Sequence, residues 1–149
     1  VEDPRIYVET VSQENLKFAQ KEGLPVQPVP DLRNMVKEGL LKLLFISNVE
    51  SVLDGLREAL KGVEATVVRS ERNYLEVLPL GVSKGAGLVW LCERLGIPLR
   101  NVVAIGDQES DVSMFEVVGL GIAMAHAPRM VVEKARHVIR SIPELGMFL

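Results

Sequence analysis

Short apolar runs alternate with amphipathic stretches along the chain, a pattern typical of mixed α/β proteins. The elements expected in the N-terminal half are, in order, strand 6–8, helix 12–21, strand 40–46, a helix from Asn48 or Ser51 to about 61, and strands 63–69 and 73–78. The proline-dense segment 23–30 is expected to be a loop, because proline removes backbone donors and blocks helix formation. After residue 40, the order strand, helix, strand, strand favours a small α+β unit with an antiparallel sheet.

From Ser83 onward, helices and strands alternate with short connections, which favours a parallel sheet covered by helices. The expected order is helix 84–95, strand 101–105, helix 111–118, strand 120–124, helix 128–135 and strand 137–139. Residues 102–105 are apolar on both faces, as expected of a central buried strand. Because Pro79 and Gly81 separate the two patterns, we expect an N-terminal portion of residues 1–78 and a C-terminal portion of residues 79–149.

Composition narrows the classes of partner. At 149 residues with 48% hydrophobic residues, the chain can bury a core, and a formal net charge of -3 supplies no basic field for nucleic acid. Cys92 is the only cysteine, which excludes an intrachain disulfide and fits a reducing compartment. No apolar run approaches the roughly 20 residues of a membrane helix. We therefore expect a cytoplasmic protein without nucleic-acid or membrane partners.

Two carboxylates lie beyond the predicted strand 101–105. Asp107 follows Gly106, and Asp111 comes four residues later at the start of the next helix. Ligands of parallel sheets bind at this end of the strands, and two carboxylates about 4 Å apart would repel by roughly 4 kcal/mol, so their convergence needs a cation or a shared proton. An all-oxygen site favours Mg²⁺. This segment alone leaves open a turn residue followed by a helix cap. Glu109, between the two, is expected to face solvent.

Two further side chains could contact an anion. Lys84 lies in the first turn of helix 84–95, where its charge opposes the helix dipole, so a bound phosphate or nearby carboxylates should compensate it. His126 follows strand 120–124 and would lie beside the Asp107 loop if the two strands are neighbours. Taken alone, each position has a simpler explanation, Lys84 as an exposed residue after a Ser83 cap and His126 as a structural histidine.

Three segments together resemble motifs of the Cof-like phosphatases of the haloacid dehalogenase superfamily, in the same order and spacing. They are residues 75–85 with Gly-Val-Ser-Lys-Gly, residues 103–115 with Gly-Asp and a later Asp-Val-Ser-Met-Phe, and residues 121–125 with Gly-Ile-Ala-Met-Ala. Residues 1–74 resemble the cap that is inserted in this family. The resemblance implies an α/β fold: the C-terminal half of a haloacid dehalogenase core, with a parallel sheet and flanking helices, preceded by a small α+β cap portion.

The resemblance also implies a Mg²⁺-dependent phosphatase. Such an enzyme transfers the phosphoryl group of a small phosphorylated metabolite, such as a sugar phosphate, to an aspartate and then hydrolyses the aspartyl-phosphate. Lys84 would be the catalytic lysine that neutralises charge between nucleophile and phosphate. Asp107 would be a catalytic metal ligand, and Asp111 a second carboxylate of the metal site that supports it. Electrostatic stabilisation of this kind is the main catalytic contribution in phosphoryl transfer.

The chain departs from the family pattern at three points. Ser110 and His126 stand where the family usually has asparagine, and both are expected to contact the phosphate or to support the residues that do. The family's Asp-x-Asp nucleophile motif is absent, because no two aspartates are separated by one residue. We therefore expect the nucleophile in a missing N-terminal segment, and self-association through the sheet edge that this segment would cover. The alternative is a non-catalytic, truncated domain that binds a ligand or pairs with another chain.

Overall fold

The computed structural model describes residues 4–35 and 40–148, and within them the strands form three sheets. The strands are β1 (Ile6–Val8), β2 (Val26–Pro28), β3 (Leu43–Ile46), β4 (Ala65–Glu71), β5 (Tyr74–Pro79), β6 (Val103–Gly106), β7 (Leu120–Met124) and β8 (His137–Ile139). The helices are α1 (Gln13–Glu22), α2 (Glu50–Ala59), α3 (Lys84–Leu95), α4 (Val112–Phe115) and α5 (Arg129–Val132). Short 3-10 turns cover Leu32–Met35, Leu99–Asn101, Glu109–Asp111 and Ile142–Met147. The α/β fold predicted from the sequence is confirmed, and none of these helices is long and apolar enough to cross a bilayer.

The N-terminal portion contains the predicted antiparallel sheet, with strand order β3-β5-β4. Helix α1 begins after Ser12, whose Oγ accepts from the amide of Asn15 at 3.3 Å, and it ends at Gly23 with φ 67°. The prediction of a loop over 23–30 was wrong, because Val26–Pro28 pairs in parallel with β1. Proline is compatible with this strand because it lies at its end.

Several helix boundaries differ from prediction for local reasons. Helix α2 follows Val49, which makes no side-chain cap, so neither Asn48 nor Ser51 caps it. Helix α4 ends three residues before 118, because the amides of residues 117 and 118 both bond to the carbonyl of Met114 in a tight turn. Helix α5 ends at Val132 and also passes into a tight turn, since the amides of residues 134 and 135 bond to carbonyls three residues back.

The C-terminal portion is built on a parallel sheet of strand order β6-β7-β8. Its buried cluster combines residues of two strands with residues of two helices: Ala104, Ala123, Phe115 and Val131. Strand β6 lies at an edge of this sheet and has no partner on its other side among the described residues, so the central position predicted for 102–105 is not met there. Val103 and Ile105 are accordingly only half-buried.

The open edge of β6 predicts self-association of the 149-residue chain. Unpaired backbone groups and half-buried apolar side chains form a template for strand pairing. We expect sedimentation velocity to show dimers or larger species that grow with protein concentration. Val103→Lys should shift the distribution toward monomer, because a lysine at an edge opposes pairing, while circular dichroism shows that the variant is folded. A wild-type chain that stays monomeric at every concentration would contradict this expectation.

Candidate active site

The buried carboxylate of Asp111 organises the loop that follows β6. Asp111 is 4% exposed, and its Oδ2 accepts hydrogen bonds from the backbone amides of Asp107 and Gln108, both at 2.9 Å. Its Oδ1 accepts from Lys84 Nζ at 2.5 Å. One side chain thereby joins the end of β6 to the first turn of α3.

Two glycines make this close approach possible. A Cβ on Gly106 would lie 2.3 Å from the Cβ of Asp111, and one on Gly85 would lie 2.1 Å from the carbonyl oxygen of Ser113. The amide of Gly85 donates to Ser113 Oγ at 3.1 Å, and that hydroxyl donates to the carbonyl of Ser110 at 3.0 Å. The start of α3 is therefore bound to Ser113 and, through its hydroxyl, to Ser110 in the loop.

Lys84 lies at the first position of α3, as the sequence predicts. The compensating carboxylate expected for a lysine at this end of a helix dipole is Asp111. The Lys84 side chain is 53% exposed although its partner is buried. Its ammonium group is thus fixed at one side and open to an anion at the other.

Asp107 and His126 meet at the ends of neighbouring strands. Strands β6 and β7 are paired in parallel, with Gly106 opposite Ala123, which places the two loops together as expected. His126 Nε2 lies 3.2 Å from Asp107 Oδ2, and the Gln108 side chain donates to the same oxygen at 3.2 Å. The Asp107 side chain is 39% exposed, and its Oδ1 has no hydrogen-bond partner in the described part of the chain. Asp107 therefore has one oxygen available to a ligand.

The two carboxylates differ in their fit to a metal ion. Asp107 fits as one oxygen ligand of Mg²⁺, which usually keeps several waters and takes only one or two carboxylates. Asp111 already accepts three hydrogen bonds, so its geometry fits support of the loop better than direct coordination. Residues 4–35 and 40–148 contain no group of three or more ligating side chains. Metal binding by Asp107 and Asp111 stays a prediction.

Ser110 also lies in this loop, with its hydroxyl buried. Its Oγ has no hydrogen-bond partner among the described residues. A buried hydroxyl without a partner is unfavourable and uncommon. The predicted contact of Ser110 with phosphate, or with residues that bind it, is not tested by this arrangement.

Glu109 does not face solvent freely, so that expectation was wrong. Its carboxylate accepts two hydrogen bonds from the guanidinium group of Arg57, one from Nη1 at 3.0 Å and one from Nη2. The Glu109 side chain is only 17% exposed. The hydrogen bonds to Glu109 raise the pKa of Arg57 above the ordinary arginine value.

A cavity of about 710 Å³ lies between the N-terminal and C-terminal portions. Lys84 and Ser110 line it from one side, and Tyr74 and Glu76 line it from the antiparallel sheet. Asp107 and His126 lie outside its wall. The lysine therefore faces a space large enough for a small metabolite.

Sequence reasoning missed Ser113 and Arg57. The spacing of Ser113 from Ser110 could have indicated a side chain that bonds back to the carbonyl three residues earlier. No local pattern marks Arg57, because its partner is 52 residues away.

The hydrogen bonds of Asp111 predict unequal effects of the two carboxylates on stability. Asp111→Asn should lower the free energy of unfolding by about 2–4 kcal/mol, because it breaks a buried ion pair and disturbs a filled set of hydrogen bonds. Asp107→Asn should change it by less than about 1 kcal/mol, since that side chain is partly exposed. Urea unfolding followed by circular dichroism in EDTA measures both. Equal losses would show that Asp111 does not hold the loop.

Ser110 and Ser113 offer a matched pair of hydroxyls. Ser110→Ala removes a buried hydroxyl that has no partner among the described residues, so it should leave the free energy of unfolding unchanged or raise it by about 1 kcal/mol. Ser113→Ala removes two hydrogen bonds and should cost about 1–2 kcal/mol. The same urea experiment compares them. A larger loss from Ser110→Ala than from Ser113→Ala would mean that the Ser110 hydroxyl is satisfied in solution.

Comparisons with known proteins identify the family of the chain. Residues 1–148 match the family model described as haloacid dehalogenase-like hydrolase. The chain is 43% identical over 81 residues to stress response protein YhaX of Bacillus subtilis, a match that covers 54% of this chain and 28% of that protein. It is 37% identical over 92 residues to 5-amino-6-(5-phospho-D-ribitylamino)uracil phosphatase YcsE of the same organism, a match that covers 62% of this chain and 37% of that protein.

A solved structure supports the fold. A haloacid dehalogenase-like hydrolase from B. subtilis superposes with a TM-score of 0.79 at 20% identity, over 96% of this chain and 61% of that one. The chain spans less than two thirds of each of these three proteins. Because the family model covers nearly the whole sequence, the resemblance seen in the motifs is confirmed, and the chain belongs to the haloacid dehalogenase-like hydrolases.

Proposed function

We propose that this chain is part of a Mg²⁺-dependent phosphatase that acts on a small phosphorylated metabolite, such as a sugar phosphate. The observation that carries the proposal is the half-exposed ammonium group of Lys84, which is held by the buried carboxylate of Asp111. Asp111 lies in the same loop as Asp107, whose carboxylate has one open oxygen. A cation and a metal-binding carboxylate together suit a phosphate dianion. The name of the relative YcsE, a phosphatase, supports the same reaction class.

Lys84 would bind the phosphate and neutralise charge as the nucleophile approaches it. A lysine ammonium is a compact point charge that contacts phosphate oxygens without a fixed fork geometry. Asp111 keeps this ammonium near the end of β6. The carboxylate itself cannot move into solvent, because it is buried and accepts hydrogen bonds from two backbone amides. The geometry therefore restrains the cation before substrate binds, which is the form of preorganisation that favours phosphoryl transfer.

Asp107 would hold the metal through Oδ1. His126 and Gln108 both bind Oδ2, so they orient the carboxylate and leave the other oxygen open. When bound, Mg²⁺ neutralises negative charge on the phosphoryl oxygens. Waters, phosphate and residues outside this chain would supply the remaining ligands of the ion.

The nucleophile is proposed to come from outside this chain. The open edge of β6 ends at Gly106, directly before Asp107, so a strand paired there in parallel would bring its own C-terminal end to the metal site. The same edge favours the second candidate, a non-catalytic domain that pairs with another chain. Catalysis and pairing are separable by assay.

The 149-residue chain alone should bind ligands without turnover. We expect hydrolysis of generic phosphate esters no faster than a Mg²⁺ buffer blank, and weak Mg²⁺ binding by calorimetry that Asp107→Asn abolishes. Phosphate binding, followed by ³¹P line width in the presence of Mg²⁺, should be lost in Lys84→Ala and kept in Lys134→Ala, a control outside the site.

Three results would count against parts of the proposal. Equal Mg²⁺ heats from the wild type and Asp107→Asn would remove Asp107 from the metal site. Turnover that survives purification and disappears in Asp107→Asn would show that the nucleophile lies within the chain. Absence of both Mg²⁺ and phosphate binding would favour the non-catalytic candidate.

A further inference from the structure

We propose that Arg57 is a positioning residue for the active-site loop 107–111, which it holds through Glu109. Its guanidinium group donates two hydrogen bonds to one carboxylate, an arrangement that fixes both distance and orientation. Helix α2 of the N-terminal portion is thereby joined directly to the loop that carries Asp107 and Asp111. The effect on metal binding rests on the proposed function, whereas the effect on the loop rests on these contacts alone.

The pair differs from an ordinary surface ion pair in burial and in geometry. Exposed single contacts contribute little to stability. Here the Glu109 side chain is 17% exposed, the Arg57 side chain is 37% exposed, and the contact is bidentate. Strand β4 also contacts the turn Glu109–Asp111, so the guanidinium group lies at a packed junction.

Other nearby charges leave Glu109 as the partner of Arg57. Asp54 lies one helical turn before Arg57, but its carboxylate accepts from Arg69 at 2.7 Å. Asp111 is paired with Lys84. The fork of Arg57 is therefore directed at the one carboxylate that lies between the two proposed site aspartates.

The loop contains three carboxylates within five residues, and each has a separate role. Lys84 compensates Asp111, Arg57 compensates Glu109, and Asp107 keeps an oxygen open for a metal. Without Arg57, the Glu109 carboxylate would be uncompensated beside the other two and free to repel them or to compete for the cation. Arg57 thus keeps Glu109 away from the ligand set.

The test uses amide NMR spectra of the 149-residue chain with and without Mg²⁺. In metal-free protein, Arg57→Ala should shift the amide resonances of residues 107–111, because Glu109 loses both hydrogen bonds from the guanidinium group. The Mg²⁺ affinity, read from the same amides, should fall roughly tenfold, as expected when a supporting partner of a metal ligand is removed. Arg72→Ala is the matched control, since Arg72 is a highly exposed arginine of the same portion, and its nearest acidic contact is Glu50 at 3.9 Å.

Conservative and reciprocal variants separate positioning from simple stability. Arg57→Lys keeps the charge but loses the fork, so it should give intermediate shifts. The double variant Arg57→Glu with Glu109→Arg restores the pair with reversed polarity and should return the loop resonances toward the wild type. A residue that only stabilised the fold would change the urea midpoint without these effects.

The outcomes distinguish this inference from the proposed function. Loop amides and Mg²⁺ affinity that are unchanged in Arg57→Ala would overturn the positioning role. If Mg²⁺ shifts no loop amide even in the wild type, the proposed metal site is wrong. The amide shifts of metal-free Arg57→Ala, and their reversal in the double variant, still decide whether Arg57 holds the loop.

Discussion

The arrangement of the site depends on one buried carboxylate. Asp111 would cost several kcal/mol to bury as an unpaired ion, and this cost is offset because Lys84 and two backbone amides bind both of its oxygens. These partners come from α3 and from the residues directly after β6, so satisfying the carboxylate also fixes the geometry between them. Gly106 and Gly85 lack side chains where the approach is closest. The loop 107–111 is thus shaped by the need to satisfy one buried carboxylate.

The same interaction divides two similar residues into different roles. Asp107 and Asp111 are four positions apart in the sequence. Both oxygens of Asp111 accept hydrogen bonds from the protein, whereas Asp107 is partly exposed and has one open oxygen. Lys84 shows the complementary property, since its position at a helix start would be unfavourable without Asp111. Because the pair is formed between a buried and a half-exposed residue, the cation remains accessible to an anion.

Sequence reasoning succeeded where structure is decided locally and failed where distant partners decide it. The Ser12 cap, the Gly23 stop and the placement of Asp107 directly after a strand follow from neighbouring residues, and all three are observed. Strand β2 could not be anticipated, because its partner β1 lies beyond α1 and proline suggested a loop. The pairing of Glu109 with Arg57 was missed for a related reason, since a charged residue between two site aspartates gives no sign of a guanidinium group 52 positions away.

The histidine at position 126 has a specific consequence for the carboxylate beside it. Asp107 has two oxygens, and His126 together with Gln108 occupies the same one. The orientation of the remaining oxygen is therefore set by residues of two different loops, one after β6 and one after β7. Replacing either residue would leave Oδ2 with the other as its remaining partner in the described part of the chain, so the carboxylate would be held less firmly while Oδ1 stays open. The orientation of the open oxygen of Asp107 consequently depends on parallel strand pairing, which brings the ends of β6 and β7 to the same edge.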